Sequence, residues 1–408
     1  MYSVQEFWYA LAYDSSLSYA DINDMLHKWS HDEKRGIEEL FASGEGPLRR
    51  AELNDNQIRG LSYARRELAE ARRRLEAAKL AGLKMTTIDS ERYPRLMRQT
   101  LGLMAPPVLF YAGDAELFNA PLVGIIGARK AKESSLGFTR ECGDYLGQRG
   151  IGVVSGFAEG VDQAASLAAL KAGGKTVLVL PQGLLSFSEK GISLTPLVDE
   201  GRALVVSAWR PRDGWMTSRA MMRNGMITAM ARDIIVAQSG KDGGTWEASR
   251  TGLKQGKRVW VRDDGDPKLG HEELRQLGAR IVDWPSRDFE QWLDSVVICA
   301  RDGGHTARTD REWSAEEVLE LLRTGTPDAI HEASGITGKL LIRIVEGRQE
   351  TPLTSLWDLQ RIKGLGPSAM VEIAEAFGLE APESGAAQIP LFPEVEEFRS
   401  WKSEEGTS

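Results

Sequence analysis

Apolar residues recur at helical spacing on charged backgrounds through the first 85 positions. SLSYADINDMLHKW and the longer QIRGLSYARRELAEARRRLEAAKLAG both carry the pattern, which predicts helices with one buried stripe. Gly82 stands where a C-cap would end the second. ERYPRLMRQTLGLMAPPVLFYAGD breaks the period with Pro94, Pro106 and Pro107, and VLFYAG within it reads as a short strand. From Leu122 the pattern alternates. LVGIIGA, IGVVSG, KTVLVLP, ALVVSA, DIIVAQS and RVWVR are near-continuous apolar runs separated by helical segments. Strands apolar on both faces, alternating with helices, predict an α/β doubly wound domain with a parallel sheet.

The expected boundaries are a helical domain over 1–85, the sheet domain over 86–295, and a linker over 296–313. Short helices are expected over 314–380. The linker assignment rests on Gly303-Gly304 and on few periodic apolar residues in VVICARDGGHTARTDREW. The remainder, 381–408, is polar, acidic and proline-containing, so disorder in isolation is expected there. No repeat of solenoid length is present.

Composition narrows the classes. A length of 408 residues allows two to four domains, and 42% apolar with 27% charged residues is the balance of a folded chain rather than a disordered one. No run of eighteen apolar residues exists, so no transmembrane helix or membrane partner is expected. MYSVQEFWYALAYDSS has no basic start and no long apolar run, so a signal peptide is not expected. Cys142 and Cys299 cannot build a disulfide framework, and the five histidines show no metal-ligand spacing. No metal or cofactor is expected, and a reducing cytoplasm fits best.

The net charge of −8 is unevenly spread: −2 over 1–120, +3 over 121–295 and −9 over 296–408. Within the basic middle, Arg202, Arg210, Arg212, Arg219 and Arg223 face only Asp213 between them. Such a run is a solvated charged face unless a motif assigns it more.

Three turns supply that motif. They are Gly127-Ala128-Arg129 after LVGII, Ser155-Gly156-Phe157-Ala158-Glu159-Gly160-Val161-Asp162 after IGVV, and Gly240-Lys241-Asp242-Gly243-Gly244-Thr245-Trp246-Glu247 after IIVAQS. In an open parallel sheet the ligand sits beyond the carboxyl ends of the strands. Glycines let a backbone approach that ligand, and helix N-termini present N–H groups and a positive dipole end, so the turns together suit phosphate. The alternative is that each glycine only makes a tight turn.

Tyr93-Pro94, PPVLFYAGD, VGIIGAR, GVVSGFAEGVDQAA, RNGMITAMA and GGTWEA, in this order, resemble the DNA-processing protein A (DprA/Smf) family over roughly residues 5–285. The resemblance implies an extended Rossmann-like sheet behind a small helical domain. It also implies single-stranded DNA binding, homodimerisation and delivery of the strand to a RecA-type recombinase during transformation. By match, Gly127 and Arg129 with neighbouring Lys130 form the phosphate turn, with Arg129 on the phosphate. Ser155, Gly156, Gly160 and Asp162 form the second turn, Asp162 orienting it or capping its helix. Arg223 and Asn224 match the family's Arg-Asn pair, and Gly243, Gly244 and Thr245 the third turn. A guanidinium suits phosphate because its planar fork donates two hydrogen bonds.

This sequence departs from the pattern at Glu159, where the family carries a base, and at Ala128, where it carries serine. The loop before Gly137 is longer, and PQGLLSFSEKGI replaces a YPxxN stretch. Lys130, Lys132, Lys171, Lys175 and the Arg210–Arg219 run therefore stand as further candidate phosphate contacts. GGTWEA also resembles the GGxGTxxE of the LOG nucleoside-monophosphate phosphoribohydrolases, which would make Glu247 and Arg223 a catalytic pair around an oxocarbenium-like transition state. Glu247 could equally complement a helix dipole. No nucleophile elbow, Walker loop or zinc signature is present, so a binding protein rather than an enzyme is expected.

Downstream, Ile362-Lys363-Gly364-Leu365-Gly366 and the weaker Gly335-Ile336-Thr337-Gly338-Lys339 flank SLWDL. The arrangement resembles the tandem helix-hairpin-helix of ComEA-like proteins, in which Lys363, Gly364 and Gly366 would present backbone N–H groups to a phosphate. Packing or a protein contact is the alternative. In the tail, Gln388-Ile389-Pro390-Leu391-Phe392 is an isolated apolar cluster. It resembles a peptide for the bacterial sliding clamp, with Gln388, Leu391 and Phe392 as anchors; a segment folding back on its own domain is the alternative.

Overall fold

The computed structural model describes residues 2–31, 36–188, 193–263, 265–301, 314–334, 336, 338–354, 356–362, 365, 369, 373, 376 and 377. The chain divides into two compact units, residues 1–253 with 257–301, and residues 302–408 with 254–256.

Among the described residues, the first unit begins with six helices: α1 (Val4–Asp14), α2 (Tyr19–His31), α3 (Ile37–Ala42), α4 (Glu45–Arg50), α5 (Asp55–Arg66) and α6 (Leu68–Leu80). Asn54 caps α5 by accepting from the Gln57 N–H at 2.9 Å, and the Gln57 side chain accepts from the Asn54 N–H at 3.0 Å, a reciprocal box that satisfies two otherwise orphaned donors. The single long helix expected from QIRGLSYARRELAEARRRLEAAKLAG is two. At Glu67 the backbone turns to φ −91°, ψ 2°, and its N–H is shared between the Tyr63 and Ala64 carbonyls, so the ladder tightens and the axis restarts.

Among the described residues, nine strands form one sheet: β1 (Lys84–Thr87), β2 (Val108–Ala112), β3 (Leu122–Ile126), β4 (Gly152–Ser155), β5 (Thr176–Val179), β6 (Ala203–Ser207), β7 (Asp233–Val236), β8 (Arg258–Arg262) and β9 (Arg280–Val282). Their order is β1-β2-β6-β5-β4-β3-β7-β8-β9. Strands β3 to β9 pair in parallel, whereas β1–β2 and β2–β6 are antiparallel. The seven apolar strands are those the hydrophobic pattern predicts. The two edge strands β1 and β9 escaped it, because KMTT and RIV are too short and too mixed to make an apolar run.

The remaining helices of this unit are α7 (Arg95–Leu101), α8 (Glu133–Gln148), α9 (Val161–Lys171), α10 (Thr195–Asp199), α11 (Thr217–Ala229), α12 (Gly243–Lys254), α13 (His271–Gln276) and α14 (Phe289–Arg301). They cover both faces. Met226, Ile227, Ala248 and Leu274 from α11, α12 and α13 join one core with Val154, Val177 and Val236. Phe138, Cys142 and Val161 from α8 and α9 join another with Val123, Ile125 and Val153.

Two expected boundaries move. Trp8, Leu11, Leu61 and Leu75 of the N-terminal helices share a core with Val108 and Phe110 of β2, so no domain boundary falls at residue 85. Residues 296–301 are helix, not linker: Phe289, Leu293, Val296, Val297 and Ala300 form one buried stripe of α14 against the sheet.

The second unit contains α15 (Ala315–Thr324), α16 (Pro327–Ser334) and α17 (Gly338–Glu350). Ser314 caps α15 in a box with Glu317, and Val318, Leu322, Ile330, Ile344 and Leu359 form its core. Lys363, Gly364, Gly366, Gln388, Leu391 and Phe392 lie outside the described residues. Among the described residues, no helix is long and apolar enough to cross a membrane.

Candidate nucleic-acid interface

The three glycine-containing turns leave β4, β3 and β7, which are neighbours in the sheet, so their carboxyl ends bring the turns together. Backbone bonds tie them. The Ala128 N–H donates to the Gln238 carbonyl at 2.9 Å, and the Val161 N–H to the Ala128 carbonyl at 3.3 Å. Asp162, on the first turn of α9, accepts from the backbone N–H groups of Gly127, Gly156 and Ala158. It therefore holds two turns in register rather than simply capping its own helix.

Arg223 on α11 fills the space beneath them. It is only 5% exposed, and its Nη1 donates to the Val179 carbonyl at 3.1 Å. A Cβ on Gly156 would land on this guanidinium and within 2.8 Å of the Asp162 carboxylate, so the absence of a side chain is what admits the pair. Burial pushes the Asp162 carboxyl up from its ordinary range and the Arg223 guanidinium down; each opposes the shift of the other, and Arg129 adds repulsion to Arg223. Gly160 has φ +88° and would carry its Cβ into the Ala128 and Arg129 carbonyls, so only glycine fits there. Phe157 takes the left-handed region at φ +52°, which non-glycine residues seldom do. From α11, Asn224 Nδ2 donates to the Gly244 carbonyl at 3.1 Å, joining the third turn.

Two open cavities lie on this rim. The first, about 390 Å³, is lined by Gly156, Phe157, Glu159, Gln163, Gln182 and Phe187. The second, about 420 Å³, is lined by Gly127, Asp162, Asn224, Asp242, Gly244 and Thr245. Arg129, Ala158, Trp215 and Arg223 line both and form the ridge between them. Arg129 is exposed, Trp215 is 50% exposed, and Gly244 and Thr245 at the start of α12 line the second cavity.

Other expected contacts fall elsewhere. The Ser155 hydroxyl is buried and donates to the Ile125 carbonyl at 2.7 Å, so it braces β3 and does not reach a ligand. Arg210 pairs with Asp14 at 2.7 Å, Arg219 with Asp213 at 2.9 Å and Lys132 with Asp266 at 2.8 Å. Each of the three therefore holds an ion pair within the fold, while Arg212 between two of them is exposed. Lys171 ends α9 and Lys175 precedes β5, at the opposite edge of the sheet. Lys130 is exposed but lines neither cavity, and Gly243 only starts α12 with φ +83°. Glu247 pairs with Arg250 at 3.2 Å and lines neither cavity, whereas Arg223 lines both.

Sequence reasoning missed Phe157, Phe187, Trp215, Gln163 and Gln182. Phe157 and Phe187 each pack one side against the small core of Leu178, Leu180 and Leu194, and the usable signal was aromatic residues within or beside glycine-containing loops.

A sequence profile of the family described as DNA recombination-mediator protein A matches residues 84–292. The DNA processing protein DprA of Streptococcus pneumoniae is 30% identical over 182 residues, covering 44% of this chain and 64% of its own length. That of Bacillus subtilis is 27% identical over 223 residues, covering 53% and 74%. An X-ray structure of DNA processing protein A from Streptococcus pneumoniae shares the fold, with a TM-score of 0.58 at 23% identity over 69% of this chain and 95% of that one.

Proposed function

Because the chain belongs to the DNA recombination-mediator protein A family, we propose that it takes part in DNA processing by holding single-stranded DNA along the carboxyl rim of its sheet. The observation that carries this reading is the ridge: an exposed Arg129 beside an exposed Trp215, set between two open cavities. Arg129 takes a backbone phosphate as a charged fork, and the start of α12 offers N–H groups and a positive dipole end to the next. The path runs over Arg129, Gly244 and Thr245, with Asp242 marking the edge of the second cavity that phosphate avoids. Arg223 supports the cradle from beneath.

Aromatic side chains favour a single strand over a duplex. Trp215, Phe157 and Phe187 face open cavities, where unpaired bases can stack, whereas paired bases are inaccessible. A role in strand uptake, recombination or protection, a second copy of the chain, a RecA-type recombinase and a sliding clamp bound through Gln388, Leu391 and Phe392 are the finer parts of this proposal, and rest on the motif resemblance alone. The nucleotide-hydrolase reading has no comparable support, since Glu247 stands off the cavities.

The test is titration of labelled single-stranded and duplex oligonucleotides at several salt concentrations. The wild-type protein is expected to prefer the single strand with a steep salt dependence, and Arg129→Ala to weaken binding and flatten the log–log slope by about 0.7 for one lost phosphate contact. Equal affinity and equal slope in the variant would falsify the site.

A further inference from the structure

The first cavity differs in chemistry from the ridge beside it. Its aromatic walls, Phe157 and Phe187, meet edge to face with ring centroids 6.3 Å apart, and Trp215 closes a third side. At its lip stands Glu159, exposed and without an ion-pair partner among the described residues. Gln163 and Gln182 are close by; the Gln182 amide already donates to the Ser186 carbonyl at 2.8 Å, which fixes its orientation. A carboxylate beside a strand of phosphates repels the backbone, so it adds nothing to non-specific binding. It is suited to accepting hydrogen bonds from a base.

We propose that this cavity is a base pocket that selects guanine from the bound strand, with Glu159 as the specificity-determining residue. The inference rests on the strand-binding reading of the rim. Guanine presents two adjacent donors on its Watson–Crick edge, N1–H and N2–H, spaced as a guanidinium spaces them, and the two oxygens of one carboxylate accept both. Cytosine and adenine present one amino donor beside a ring-nitrogen acceptor. Thymine flanks its single N3–H with two carbonyl oxygens, which would face Glu159 across like partial charges. A carboxylate desolvated against an edge that cannot donate loses its hydration without replacement. The Gln163 amide can donate to guanine O6, an oxygen the carboxylate cannot serve. With Arg129 on the ridge, a phosphate sits at the mouth while its base turns into the pocket and stacks. At about 390 Å³ the cavity falls in the range of small-ligand sites.

The experiment compares the full chain and Glu159→Gln against a labelled oligo-dT and the same oligomer carrying a single dG, dC or dA. A parallel calorimetric arm uses dGMP and dTMP, which reads the pocket without the strand. The expected result is tighter binding of the dG-containing strand by on the order of tenfold, the scale of one bidentate base contact, with the preference abolished in Glu159→Gln. Equal affinity of the wild type for all four strands, or a guanine preference that survives Glu159→Gln, overturns the inference while leaving the strand reading intact. If no strand binds but dGMP binds over dTMP in a Glu159-dependent way, the pocket stands and the strand reading fails. Binding of neither strand nor nucleotide overturns both.

Discussion

Gly156 and Arg223 occupy one another's space: the side chain that one lacks is replaced by the guanidinium of the other. This reciprocity separates two arginines that the sequence motif groups together. Arg129 is exposed on the ridge and free to meet a ligand, whereas Arg223 is buried against Asp162 and the Val179 carbonyl. Removing one member of a buried charge pair leaves the other uncompensated. Asp162→Ala is therefore expected to destabilise the protein by about 3–5 kcal/mol, read as a lowered urea midpoint at unchanged slope. Arg129→Ala is expected to leave the midpoint nearly where it was. A midpoint unmoved by Asp162→Ala would show that the pair is not the keystone. The motif made Gly156, Asp162 and Arg223 legible as a group but not as a support, because burial of Arg223 depends on a missing Cβ far away in the chain. Ser155 misled for a similar reason: its position in the turn was readable, while the direction of its hydroxyl was set by the pairing of β4 with β3.

At the scale of elements, the longest apolar runs were readable and the rest was decided by neighbours. Strands β3 to β8 declare themselves in the sequence, but β1 and β9 exist because an adjacent strand offers them partners. Helix α14 was hidden for the opposite reason, since its glycine-rich continuation drew attention from a regular buried stripe. The basic run after β6 was legible as charge but its pairing was not, because Arg210 meets Asp14 at the end of α1, far away in the chain. The Tyr13 and Tyr19 hydroxyls donate to the Ala208 carbonyl, and Arg210 pairs with Asp14, whose side chain is 5% exposed. These bonds hold the loop that carries Trp215 to the ridge. Arg210→Ala leaves Asp14 its pairing with Arg74 at 3.2 Å, so it is expected to cost about 1 kcal/mol, the net worth of one lost hydrogen bond, and to weaken strand binding although Arg210 lines neither cavity; calorimetric unfolding and the oligonucleotide titration together check this. Lys257, before β8, gives a pH signature. The residue is 9% exposed and its side-chain nitrogen donates to Thr100 Oγ1 at 2.9 Å, and burial pulls its pKa down to about 7. Between about pH 7 and the ordinary lysine value near 10, the unfolded chain holds a proton that the folded chain has lost. Stability contributed by this group accordingly rises with pH across that window. Lys257→Met is expected to flatten that rise in unfolding free energy measured from pH 6 to 10.

The whole molecule is organised by shared cores rather than by the boundaries of its patterns. The helical region reads as a domain because its period is 3.6 and the sheet's is not. Yet Phe110 of β2 packs against Tyr9 and Tyr13 with ring centroids 6.0 and 6.1 Å apart, and Val108 belongs to the same core. A chain lacking residues 1–83 would expose that face and lose the Asp14–Arg210 pairing that holds the ridge loop. The second unit builds its own core from Val318, Leu322, Ile330, Ile344 and Leu359, and every residue lining either cavity lies before residue 249. The two truncations should therefore differ in kind. A chain ending at residue 301 is expected to unfold cooperatively and to keep the Arg129-dependent part of strand binding, including its salt slope. A chain beginning at residue 84 is expected to aggregate or to unfold without a sharp transition. Thermal unfolding and oligonucleotide titration of both read the outcome: a stable chain from residue 84 with wild-type affinity would mean the helical region is an appendage, and loss of the Arg129 effect in the chain ending at 301 would mean the cradle extends beyond the first unit.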